Sequence, residues 1–341
     1  MKVKNNSSIN VVLAADNSYA MPLAVTARSI IENLKDNRKI KLFIIDGGIK
    51  KHNKDKISRS LENGKCVIEW LPRPDRLLGN FEVLNQFTIE NIPGVGTVTA
   101  KPYLSNIAAY YRLLIPELLP DYCQKAIYLD CDLIVNRDLG ELWDIEMGNN
   151  YLLAVQEFLT PYVSSPAGLM NYQELGISSD AKYFNSGVLV INLEKWRANN
   201  AVAKAVDYLQ KNGKYVRWAD TDVLNALVAD QWGQLDPRWN QTASVHLFSS
   251  SRKDWQDCPL SEALSYEVYE QVLHDPYIIH FSSTGKPWNI SQDEPFKKLF
   301  FQYLDLTAWS GWRFTVWRRV LRKLIREIKQ KSSFLLRIKT A

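Results

Sequence analysis

Apolar residues in this chain form short continuous runs joined by stretches with helical spacing. Ile9–Ala15 (INVVLAA) is a run of the kind that a strand buried on both faces needs. Residues 21–34 follow, with apolar positions at 24, 27, 30, 31 and 34, the period of one helix face. Ile40–Asp46 (IKLFIID) is a second strand, 51–62 a polar helix and 66–71 a third strand. Strands alternating with helices predict an α/β fold, a mostly parallel, Rossmann-like sheet flanked by helices. No G-x-G-x-x-G follows the first strand, which argues against a dinucleotide-binding enzyme.

Residues 72–102 are rich in Pro, Gly and Asn and predict a long loop, of a length that often covers a site. Helix is predicted over 105–119, 199–211 and 221–230, and strands end at Asp130, over 188–191 and over 277–283. With no internal repeat and no low-complexity tract, the simplest division is one domain, 1–305, and a tail, 306–341.

The tail changes the picture of charge. The net charge is +5, yet residues 311–341 hold ten Lys/Arg against one acid, Glu327, so the rest of the chain is mildly acidic. Trp317, Val320, Leu321, Leu324, Ile325 and Ile328 fall on one helical face, and Arg318, Arg319, Arg322, Lys323, Arg326 and Lys329 on the other. An apolar face bearing Trp and a cationic opposite face suit a helix lying in an anionic membrane surface. Docking on the domain is the plainer alternative. Nucleic-acid binding is not expected.

At 341 residues and 46% hydrophobic, the chain has enough apolar side chains for a large core. Cys66, Cys123, Cys131 and Cys258 are scattered and form no C-x-x-C pair, so neither a zinc site nor a disulfide framework is predicted. Asp16 interrupts the first apolar run, which fits no secretory signal, and no run approaches a membrane span. A cytoplasmic protein held peripherally at the inner membrane face is the expectation.

The chemistry concentrates in AIYLDCDLIVN (126–136), where two carboxylates interrupt an apolar run. Like charges this close repel, and burying them is costly without a partner. In a strand, residues i and i+2 share a side, so Asp130 and Asp132 could share one divalent cation. Carboxylate oxygens suit Mg²⁺ or Mn²⁺. Open α/β sheets bind ligands beyond the carboxyl ends of their strands, and Asp16, Asp130, the segment before Val188 and His280 all fall at such ends.

YLDCDLIV, YFNSGVLVINLEKWR, ADTDVLN and HFSSTGKPW, in this order, resemble the family 8 retaining glycosyltransferases. The likeness runs from VVLAADNSYA to KPW. It implies a GT-A fold and transfer of a hexose from UDP-glucose or UDP-galactose to a saccharide, glycolipid or glycoprotein hydroxyl. A lipid-linked saccharide or lipopolysaccharide core would suit the tail. It also implies Mn²⁺, with Mg²⁺ as the alternative ion, on Asp130, Asp132 and His280.

The resemblance places Ala14, Asp16 and Tyr19 at the uracil, and Arg112, Cys131 and Lys286 around the donor's sugar and diphosphate. Asn185, Asp220 and Thr221 fall at the donor sugar and Glu157 near the acceptor mouth. On the residues alone, Asp16 could cap a helix, Arg112 could sit in a surface ion pair, Glu157 on a solvated loop and His280 in the core.

Three positions depart from the family pattern: Thr221 where Gln is frequent, Ser283 in a Gly position and Ser18 where Asn is common. A front-face route is favoured for retention, because none of Asp220, Asp222 and Glu157 is clearly placed beneath the anomeric carbon. A D-x-D phosphatase and a non-catalytic sugar-binding or membrane-surface protein are the alternatives.

Overall fold

The structure is a computed structural model that describes residues 8–35, 37–74, 87–92, 96–100, 107–248, 252–282, 285–289 and 295–313. The predicted tail helix and Ser283 lie outside the described residues.

The strands are β1 (Ile9–Ala15), β2 (Ile40–Asp46), β3 (Cys66–Leu71), β4 (Phe87–Ile92), β5 (Gly96–Ala100), β6 (Lys125–Leu129), β7 (Leu133–Val135), β8 (Leu152–Gln156), β9 (Phe184–Asn192), β10 (Trp232–Gln234), β11 (Gln241–Thr242) and β12 (Ile278–His280). The helices are α1 (Ala20–Asn33), α2 (Lys51–Ser60), α3 (Ile115–Leu118), α4 (Leu139–Trp143), α5 (Leu193–Ala198), α6 (Ala201–Asn212), α7 (Asp220–Val228), α8 (Tyr266–His274) and α9 (Lys297–Asp305).

The main sheet runs β10-β8-β9-β6-β1-β2-β3. Its pairings are parallel except at β9, which is antiparallel to both β6 and β8. The pleat divides each strand between two cores. Val11 and Leu13 pack with Leu23, Ala27 and Ile30 of α1, while Val12 packs with Tyr110 and Tyr111 on the opposite face. Burial on both faces is why β1 and β6 are apolar without alternation. Each fully buried Leu or Ile contributes about 1.5–3 kcal/mol.

Several predicted bounds move. Residues 72–102 hold an antiparallel pair, β4 and β5, where a loop was expected. Its residues FTIENI carry β-branched side chains, a signal outweighed by the surrounding Pro, Gly and Asn. The 105–119 helix is a 3₁₀ stretch over Ile107–Leu114 that becomes α only at α3. The strand predicted over 188–191 starts four residues earlier, at Phe184, so FNSG is itself in the sheet.

A second sheet, β11-β12-β7, makes the site. The chain leaves the main sheet at the end of β6, and β7 pairs antiparallel with β12, in a register that sets His280 opposite Leu133. Helix α1 holds this junction. Thr26 Oγ1 donates toward the carbonyls of Leu133 (2.8 Å) and Cys131 (3.0 Å), and Ser29 Oγ accepts from Val135 N at 2.9 Å.

Candidate active site

β6 ends at Leu129 and β7 begins at Leu133, so Asp130-Cys131-Asp132 is a turn between two sheets, not a strand. The i, i+2 argument for convergence therefore does not hold. The carboxylates converge because the backbone bends where it changes sheet, and because two neighbouring strands close around them. Gly187 O accepts from Asp130 N at 2.9 Å, and Asp132 O accepts from Phe281 N at 3.0 Å.

Each aspartate commits one oxygen to the protein and turns the other toward His280. Asp130 Oδ1 accepts from Arg112 Nη2 and from the Tyr128 hydroxyl, both at 2.8 Å, while Oδ2 lies 3.8 Å from His280 Nε2. Asp132 Oδ2 accepts from Lys286 Nζ at 2.6 Å, while Oδ1 lies 3.5 Å from the same Nε2. One ligand atom from each of the three lies within 4.8 Å of the others. Two carboxylates and an imidazole form a donor set for a divalent cation of the Mg²⁺ or Mn²⁺ kind. Gly187 forms the floor: a Cβ there would stand 2.4 Å from His280 Cε1.

Electrostatics favour a charged carboxylate at Asp132. Burial raises the Asp132 carboxyl, but the Lys286 ammonium beside it outweighs burial and holds the group well below the usual carboxylate range. Arg112, 7% exposed, is no surface ion pair. Its Nε donates to the Ala109 carbonyl (3.2 Å) and lies 2.9 Å from Asp220 Oδ2 as an ion pair, its Nη1 donates to the Ser186 carbonyl (2.7 Å), and the guanidinium lies over the Tyr128 ring. Burial opposes its charge, and Asp130 with Asp220 more than restores it. Burial likewise pushes the Asp220 carboxyl up to about 6, against the pull of Arg112.

These groups line a cleft of about 260 Å³ that extends from Ala14, Asp16 and Tyr19 at one end to Asn185, Asp220 and Thr221 at the other. Asp16 Oδ1 accepts from Ser18 N, Ser18 Oγ and Tyr19 N, so it also caps the 3₁₀ turn that presents Tyr19. Tyr19 meets Trp288 edge-on at 5.9 Å. Cys131 is buried with Sγ on the Ala14 carbonyl (3.2 Å), which ties the Asp130–Asp132 turn to the end of β1. The Thr221 and Ser186 hydroxyls are 2.6 Å apart, and Ser186 Oγ donates to Asp220 at 2.8 Å.

Two acids stand differently from expectation. Glu157, partly exposed just past the end of β8, is not among the residues lining the cleft; its Oε2 accepts from the cleft-lining Asn185 Nδ2 at 2.7 Å and its Oε1 from Phe158 N. Asp222 faces the protein: its oxygens accept from the Tyr183 hydroxyl and from the backbone N–H groups of Arg217 and Trp218.

Some contributors left no trace in the sequence reading. Asn240, fully buried, lies between Asn185 and His280 at 2.9 Å from each. Ala219 has φ 51°, a conformation expected of glycine, and turns the chain to deliver Asp220. A glycine would have signalled that turn; the alanine conceals it.

The fold is that of the GT-A glycosyltransferases. The profile of Glycosyl transferase family 8 matches residues 10–291, and the chain belongs to that family. General stress protein A of Bacillus subtilis is 28% identical over 312 residues, covering 90% of this chain and 97% of the relative. Glycosyltransferase GlyF of Streptococcus pneumoniae is 24% identical over 88% of this chain, which spans 62% of GlyF. Galactosyltransferase LgtC, solved with donor and acceptor sugar analogues, shares the fold at a TM-score of 0.68. Its identity is 24%, over 91% of this chain and 99% of LgtC. Family membership sets the phosphatase alternative aside.

Proposed function

We propose that this chain is a retaining hexosyltransferase that moves galactose or glucose from a UDP-sugar to a hydroxyl of a saccharide or glycolipid acceptor. One observation carries the reading: Asp130 and Asp132 each reserve an oxygen, and both oxygens face His280 Nε2 inside the cleft. Asp130, Asp132 and His280 would hold a Mn²⁺ ion. Once bound, such an ion supplies Lewis-acid stabilisation of charge on the departing diphosphate.

The residues around it divide the remaining work. Asp16 and Tyr19 bind the uracil, with the Ala14 backbone at the base. The Lys286 ammonium, held on Asp132 Oδ2, would be a second cation for the diphosphate oxygens. Arg112 braces the sugar end by fixing Asp130 and Asp220 at once. Asn185, Asp220 and Thr221 read the sugar hydroxyls, where an epimer with a misplaced hydroxyl leaves buried polar groups unpaired. No protein nucleophile is needed. The bond from the anomeric carbon to UDP breaks, the acceptor oxygen attacks the same face, and its proton passes to the departing phosphate oxygen. The engagement of Asp222 by three donors and of Glu157 by Asn185 supports this route.

The tail supports a peripheral attachment to an anionic membrane, each Lys/Arg near the surface contributing about 1 kcal/mol. No described helix is long and apolar enough to cross a membrane. Deleting residues 314–341 should abolish co-sedimentation with phosphatidylserine vesicles and leave donor hydrolysis unchanged.

NMR of a panel of UDP-sugars with Mn²⁺ tests the reaction. One UDP-hexose should hydrolyse to the α-anomer, and Asp130→Ala should abolish turnover. Equal turnover in the variant would refute the reading.

A further inference from the structure

A series of amides that starts outside the carboxylate cluster sets the orientation of His280. The Gly187 N–H can only donate, and it donates to Asn185 Oδ1 at 2.9 Å. That fixes which end of the Asn185 amide is oxygen, and its Nδ2 accordingly reaches Glu157. Asn240 approaches the same Asn185 oxygen at 2.9 Å, so it must do so with Nδ2. Its Oδ1 is then the atom 2.9 Å from His280 Nδ1. An amide oxygen only accepts, so His280 Nδ1 bears the hydrogen. A neutral imidazole protonated on Nδ1 has its lone pair on Nε2, and Nε2 is the atom facing Asp130 Oδ2 and Asp132 Oδ1.

We propose that Asn240 is a positioning residue that selects the Nδ1–H tautomer of His280 and keeps the Nε2 lone pair on the cation site. The proposal deepens the metal-site reading above and rests on it. Asn240 is wholly buried and does not line the cleft, so it acts through the two side chains it holds, His280 and Asn185. It sits at the end of the Pro237–Asn240 turn, whose next residues form β11 beside β12, so the same sheet pairing that carries His280 carries its acceptor. Bonds from the second ring nitrogen of a metal-binding histidine characteristically fix its tautomer, and their loss costs about 10–100-fold in metal affinity.

The test is ¹⁵N NMR of histidine-labelled, metal-free protein at pH 8, where the four histidines give four imidazoles and His280→Asn identifies one of them. In wild type, His280 should carry its hydrogen on Nδ1, and Mn²⁺ should broaden its Nε2 signal first. In N240L the hydrogen should redistribute to Nε2, and calorimetric Mn²⁺ affinity should fall about 10–100-fold. N240D keeps an acceptor and should keep the tautomer. Wild-type His280 with its hydrogen on Nε2 overturns the proposal without any variant, which covers the case of N240L failing to fold. A folded N240L with unaltered tautomer and affinity also overturns it. A wild type that shows the Nδ1–H form yet binds no Mn²⁺ supports the tautomer assignment and overturns the metal reading instead.

Discussion

Arg112 and Asp220 form a 2.9 Å ion pair in which both side chains are buried. The same guanidinium holds Asp130 at 2.8 Å, so one cation balances two carboxylates. Removing it leaves Asp220 as an uncompensated buried charge and takes the cation from the partly exposed Asp130. Arg112→Ala should cost about 3–5 kcal/mol by urea denaturation. Arg112→Lys keeps the charge but not the planar fork, and should recover only part of the loss. A loss under 1 kcal/mol for Arg112→Ala would contradict the pairing.

Asp220 has a pH signature. Its carboxyl is pushed by burial to about 6 from an ordinary value of 3.8. Between those values the folded protein keeps a proton that the unfolded chain has released. Folding stability therefore falls as pH rises from about 4 to about 6, and is level above that. The full fall is on the order of 3 kcal/mol at about 1.4 per pH unit. Subtracting the Asp220→Asn urea series from wild type at matched pH isolates this slope; parallel curves would mean that Asp220 titrates as in the unfolded chain.

Gly187→Ala puts a methyl group 2.4 Å from His280 Cε1 and 3.0 Å from Asp130 Oδ2. Overpacking of this kind costs about 1–3 kcal/mol. The variant should fold, with His280 displaced and Mn²⁺ affinity down at least about tenfold. Calorimetry of the two proteins side by side measures it.

Thr26→Val tests whether helix α1 holds the Asp130–Asp132 turn. The swap is close in shape but removes the hydroxyl that serves the carbonyls of Cys131 and Leu133. Stability should drop by about 1–3 kcal/mol, and Mn²⁺ affinity should fall with it although Thr26 touches no proposed ligand. Stability loss with unaltered affinity would show that α1 supports the fold without shaping the site.

The fold was legible where burial on both faces left unbroken apolar runs, as at Ile9–Ala15 and Ile40–Asp46. It was not legible at 87–100, where local Pro and Gly outweighed β-branched residues. The aspartate pair and His280 were recognisable as chemistry because carboxylates and a histidine stood at the ends of apolar strands. Their meeting depended on a change of sheet at residues 130–132 that no local pattern encodes. Asn240 was invisible for the same reason: in DPRWNQ it is an ordinary turn residue, and only the β11–β12 pairing brings it to His280.

Anomalous X-ray scattering at the manganese edge, from crystals grown with MnCl₂ and UDP, tests the central claim most directly. The account predicts one strong peak within bonding distance of Asp130 Oδ2, Asp132 Oδ1 and His280 Nε2, with the diphosphate on its far side. UDP seated in the cleft with no peak among those three atoms would contradict it.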